Sequence, residues 1–107
     1  MTEEQLTPLL HHLRRELALA LGSQLDHVRL FGSRARGEAR PESDIDLLVV
    51  VKGDVDYADL MRRTSTLVAR ISLQNDVVIS RVFISKDQFE RGQSPFLRNV
   101  RRESVAV

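Results

Sequence analysis

The 107-residue sequence contains no cysteine. Disulfides, thiol catalysis and cysteine-held zinc are therefore excluded. A surplus of one charge is missing as well: sixteen Lys and Arg stand against fifteen Asp and Glu, for a formal charge of +1. A chain whose main work is gripping nucleic acid usually carries a marked basic excess, so direct nucleic-acid binding is not expected. No apolar run approaches the roughly 20 residues that a bilayer span needs. The acidic start lacks the basic, apolar, small-residue order of a secretion signal. The three histidines, His11, His12 and His27, have no metal-ligand spacing. Internal repeats, low-complexity tracts and interdomain linkers are also lacking. What remains is expected to be one cytoplasmic domain over residues 1–107, ordinary in its 42 % apolar and 29 % charged residues.

Hydrophobic spacing places the elements. Leu6, Leu9, Leu10, Leu13, Leu17 and Leu21 recur at helical intervals, predicting a helix from Thr7 to Leu21 that stops at Gly22. Thr7-Pro8 is a start signal, and Thr2 with Gln5 is an alternative one, a capping box. A short strand is expected at His27–Phe31. The firmest strand is Asp44–Val51, whose continuous run Leu47-Leu48-Val49-Val50-Val51 implies burial on both faces. A helix from Asp56 to Ser72, a strand from Asp76 to Ser85, a helical turn at Lys86–Arg91 and a last helix from Ser94 complete the chain. The order helix, strand, turn, strand, helix, strand, helix is an α/β (α+β) layer with about three core strands.

Chemistry gathers between Gly32 and Asp46. Side chains two apart on a strand share a face, so Asp44 and Asp46 project together while Ile45 and Leu47 enter the core. Paired carboxylates repel, and keeping both ionised needs a cation. Magnesium suits them, taking one or two carboxylates and completing its octahedron with phosphate oxygens and water. Asp76, at the expected start of the third strand, would add a third carboxylate, enough for two metals and an in-line displacement at phosphorus. Gly32 lets backbone approach a phosphate, and the Ser33 amide and hydroxyl can donate to it. Arg34 and Arg36 could neutralise phosphate charge, and they and Arg40 divide between phosphate or partner contacts and a plain solvated loop. Ser43 reads first as a turn cap and second as a nucleotide contact. Tyr57, the lone tyrosine, reads as packing, with a self-modification acceptor as the alternative. The helix bearing Phe96, Leu97 and Val100 with Arg98, Arg101 and Arg102 reads as docked on the core, or as a partner surface.

Gly32-Ser33, ten residues, then Asp44-Ile45-Asp46 resembles the signature of the DNA polymerase β-like nucleotidyltransferases. The fuller text, Phe31 to Gly37 and Ser43 to Val49, is similar to the minimal nucleotidyltransferase (MNT) branch. That resemblance implies a single-domain nucleotidyltransferase fold, with Gly32 and Ser33 on the nucleotide's phosphates and Asp44 and Asp46 on magnesium. It matches Asp76 to the third family acid. It also implies a setting: MNT proteins of this kind pair as antitoxins with an HEPN-domain ribonuclease toxin, and transfer AMP from ATP to a tyrosine of it. A chain this short has little room for an acceptor-binding domain, which suits an acceptor that brings its own surface. Two other functions stay open, a non-catalytic antitoxin that neutralises by contact and an antibiotic-modifying transferase. A homo- or hetero-oligomer is compatible with each.

Overall fold

A computed structural model describes residues 1–40 and 43–107. Helix α1 (Glu3–Leu21) begins at the earlier of the two start signals. The Thr2 hydroxyl accepts from the Gln5 amide and the Gln5 side chain accepts from the Thr2 amide, so Pro8 falls inside the helix rather than at its start. Its missing N–H frees only a carbonyl in the first turn, where solvent serves it. A 3₁₀ turn (Gly22–Gln24) leads into β1 (Leu25–Phe31), two residues earlier than expected.

The chain continues through β2 (Ile45–Val51), α2 (Tyr57–Asn75), β3 (Ile79–Ser85), α3 (Lys86–Arg91), α4 (Pro95–Glu103) and a two-residue strand β4 (Val105–Ala106). The sheet order is β3-β2-β1-β4, with β1 antiparallel to β2 and β4, and β2 parallel to β3. The expected α/β layer is present, extended by a terminal strand that the hydrophobic pattern did not announce.

Burial divides the sheet into two faces. Ile45, Leu47, Val49 and Val51 pack with Val28, Leu30, Ile79 and Phe83 under the leucine stripe of α1 and the Leu60, Leu67, Val68 and Ile71 stripe of α2. Leu48, Val50 and Ile84 pack on the opposite face against Val100, with Phe31, Val82, Phe89 and Leu97 around them. Every residue from Leu47 to Val51 is fully buried, which is the two-sided burial expected of that run.

Helices α3 and α4 cover only part of the second face. Arg101 fastens α4 by donating to the carbonyls of Phe89 and Gly92 at 2.8 and 2.6 Å. Tyr57 is a packing residue here: its ring meets Phe83 edge-on at 5.5 Å and its hydroxyl donates to the Arg81 carbonyl at 3.4 Å.

Candidate active site

The strand register brings one end of three strands together. Phe31, the last residue of β1, lies beside Asp46, and Ile45 and Asp46 lie beside Ile79 and Ser80 of β3. Alternation then decides the faces. Ile45 and Leu47 are fully buried toward α1 and α2, while Asp44 is exposed and Asp46 half-buried on the partly covered face. Asp46 is perturbed. Burial, and then the charge of Asp44, push its carboxyl above the usual range, opposed by a hydrogen bond from Ser80 and by the nearby Arg36 guanidinium. A cation between the two acids would relieve both of the raising effects. Two aspartates with open solvent on one side fit a magnesium ion that keeps water and takes phosphate oxygens.

Gly32 faces this pair. Its φ is +76°, and a Cβ built on it would lie 2.3 Å from the Asp46 carboxylate Oδ2. Only glycine accepts both the left-handed backbone and that approach. The chain then makes one helical turn, with the Arg36 amide donating to the Gly32 carbonyl at 3.2 Å and the Glu38 amide to the Ser33 carbonyl at 3.0 Å. The amides of Ser33 and Ala35 open that turn, and such amides have no acceptor within it. They stand at the glycine, next to the acids, as phosphate binding requires.

The arginines divide. Arg34 is buried, and its Nε and terminal nitrogen both donate to the Ser43 carbonyl, at 3.1 and 2.8 Å. It ties the glycine turn to the residue before Asp44. Arg36 keeps its guanidinium at the surface between Glu38 (3.2 Å) and Glu103 (4.0 Å). The Ser43 hydroxyl accepts from the Arg40 amide at 2.9 Å, so it holds the chain ahead of Asp44.

Asp76 is where expectation and structure part. It does not begin a strand: α2 runs on through Asn75, Asp76 caps it in the left-handed region with φ 49° and ψ 51°, and β3 starts three residues later. Among the described residues no group of three or more His, Asp or Glu side chains forms a metal cluster. The strand position beside Asp46 belongs to Ser80. Pattern reasoning missed both Ser80 and Arg34. The first needed the true start of β3, and the second acts through a carbonyl that no motif records.

A mixed sheet carrying a glycine turn against paired aspartates at one end of its strands defines a nucleotidyltransferase. The nucleotidyltransferase domain family matches residues 14–103, and the chain belongs to that family. It is 30 % identical over 82 residues to a Methanocaldococcus jannaschii protein named "Putative protein adenylyltransferase MJ0141", spanning 77 % of this chain and 82 % of the relative. A solved structure described as a "putative minimal nucleotidyltransferase" is 31 % identical, covers 94 % of each chain and superposes with a TM-score of 0.57. A toxin–antitoxin structure with AMP-PNP shares the fold at 18 % identity and a TM-score of 0.59, over 86 % of this chain and 67 % of the other. Among the described residues no helix is long and apolar enough to cross a membrane.

Proposed function

We propose that this nucleotidyltransferase moves AMP from ATP to a hydroxyl of a partner protein. The observation that carries the reading is the apposition of the Gly32 turn and the Asp46 carboxylate, a phosphate cradle and a metal ligand in contact. In the reaction the acceptor oxygen bonds to the α-phosphorus, the α–β bridging oxygen leaves with pyrophosphate, and the hydroxyl proton is lost. Gly32 and the Ser33 amide and hydroxyl hold phosphate oxygens, and Arg36 supplies a surface cation to the leaving group. Asp44 and Asp46 hold magnesium, whose chemistry when bound is to neutralise phosphate charge and polarise the phosphoryl group. Arg34 and Ser43 position the acids without touching substrate. Asp76 serves the fold as a helix cap in this reading, and Ser80 orients Asp46.

The partner is proposed from likeness. A toxin–antitoxin complex shares this fold, and the motif resembles antitoxins that modify a tyrosine of an HEPN toxin. The test supplies ATP labelled at the α-phosphate, magnesium and an HEPN protein encoded beside this one. Label is expected on a tyrosine of the partner. No transfer, or equal transfer by Asp44→Asn, would sink the catalytic claim.

A second reading rests on the same likeness to a toxin–antitoxin structure. The chain would then neutralise its partner by contact, with catalysis weak. Full protection of cells by the Asp44→Asn, Asp46→Asn double variant would decide for it.

A further inference from the structure

Next to the phosphate turn, the second face of the sheet holds a cavity of about 260 Å³. It is lined by Phe31, Gly32 and Arg36 and by Phe96, Asn99, Val100 and Glu103 of α4. We infer that this cavity is the nucleobase subsite of the bound nucleotide, with Phe96 as its stacking face and Asn99 as a hydrogen-bonding contact to the base edge. The inference rests on the proposed nucleotidyl transfer.

Continuity is the first argument. Gly32 and Arg36 belong both to the phosphate turn and to the cavity, and Phe31 is the register partner of Asp46. A base lies one sugar beyond the α-phosphate, so phosphates seated at Gly32 put the base within reach of this side of the turn. Three other cavities border α1, and Gly32 lines none of those three.

Chemistry is the second. Phe96 is 43 % exposed on a helix that also presents Arg98, Asn99 and Arg102 outward. Phe31 meets it edge-on, with centroids 5.7 Å apart and planes at 85°. That contact sets the Phe96 ring in place at the mouth of the cavity, where a flat base can stack on it.

Asn99 supplies the hydrogen bonds. Its Oδ1 accepts from Arg102 at 3.1 Å, which orients the amide and leaves Nδ2 as a donor and one lone pair as an acceptor. A donor beside an acceptor is the complement of an adenine edge.

The experiment is calorimetric titration of the full chain, with magnesium, using ATP, GTP, CTP, UTP and inorganic tripolyphosphate. ATP is expected to bind about tenfold more tightly than tripolyphosphate, a difference of the size stacking supplies. Phe96→Ala should remove most of that difference and leave tripolyphosphate binding unchanged. Phe96→Leu, which keeps bulk without the aromatic face, guards against a misfolded alanine variant and should behave alike. Asn99→Ala should weaken ATP binding and leave tripolyphosphate binding unchanged. Equal affinities for ATP and tripolyphosphate, or indifference of ATP to all three substitutions, would overturn the subsite while leaving nucleotidyl transfer standing. Loss of transfer to the partner with ATP binding intact would assign the cavity to the acceptor and overturn it too. Failure of both ligands to show magnesium-dependent binding, or no effect of Asp44→Asn, would overturn the functional reading together with this one.

Discussion

The Cβ that Gly32 lacks would lie 2.3 Å from Oδ2 of Asp46, so the glycine turn and the strand of the paired aspartates meet here. Gly32 also sits at φ +76°, where an L side chain is strained. Gly32→Ala is therefore expected to cost about 1–2 kcal/mol, or roughly 4–8 °C in Tm per kcal/mol for a domain of this size. It should also displace the carboxylate and abolish magnesium-dependent ATP binding. Calorimetry and a thermal melt check both. Retention of wild-type affinity would show that the contact does not shape the site.

Asp46→Asn should have the opposite effect on stability. Burial and Asp44 raise the folded-state pKa of Asp46 above its unfolded value. Its contribution to stability is thus complete below the unfolded pKa of about 3.9 and is lost as pH rises through the folded pKa. At neutral pH, without metal, the ionised Asp46 destabilises the fold, and the amide removes that cost while still accepting from Ser80. A gain on the order of 0.5 kcal/mol in metal-free buffer is expected. Magnesium, which stabilises the wild type by binding the native state, should then have no effect on the variant's melt. A lower metal-free Tm than wild type would refute this.

Arg34 illustrates what was and was not legible in the sequence. The strand after the paired aspartates declared itself through five consecutive apolar residues, and their facing followed from alternation alone. Gly32 declared itself by ending a strand before a polar loop. The clamp from Arg34 to the Ser43 carbonyl left no such mark, because a main-chain acceptor looks the same under any side chain. Asp76 misled for a different reason. Asn-Asp ahead of an apolar run suits a strand start and a left-handed helix cap equally well, and the cap won because α2 continues to Asn75. Strand β4 is two residues long, too short for any period to show.

The Arg34 clamp makes its own prediction. Arg34→Ala leaves the Ser43 carbonyl without its two donors, a loss of about 1–3 kcal/mol for a partly buried acceptor. Lysine keeps the charge but cannot place a planar pair of donors on one oxygen, so Arg34→Lys should fall between alanine and wild type. Because the clamp positions the strand entry, ATP affinity should fall in the same order as Tm. An alanine variant with unchanged Tm would remove the structural role.

Acid sensitivity is expected to arise partly at the far end of β1. The hydrogen bond with His27, at 2.7 Å, is the main cause holding the Asp26 carboxyl below its ordinary range, and Lys86 at 3.8 Å assists against the effect of burial. A depressed folded pKa contributes stability that is present above the unfolded pKa and lost as pH falls through the folded one. Asp26→Asn should flatten part of the loss of Tm between roughly pH 5 and pH 2. At this partly exposed site the difference at neutral pH should be on the order of 0.5 kcal/mol. Superimposable Tm–pH curves would exclude Asp26 as a contributor.

The division of labour among the acids is tested by Asp76→Asn and Ser80→Ala. Asp76 caps α2 through its backbone, its amide donating to the Ser72 carbonyl, and asparagine adopts the same left-handed conformation readily. Asp76→Asn should therefore leave Tm within about 0.5 kcal/mol of wild type and transfer activity within a few-fold. Ser80 hydrogen-bonds the Asp46 carboxylate and lowers its pKa. Ser80→Ala removes one of the two groups that favour the ionised form, so the variant should need a higher magnesium concentration for half-maximal ATP binding, most visibly toward acid pH. Should Asp76→Asn abolish transfer while Ser80→Ala leaves the magnesium requirement unchanged, the two-acid site is wrong and Asp76 is a metal ligand after all.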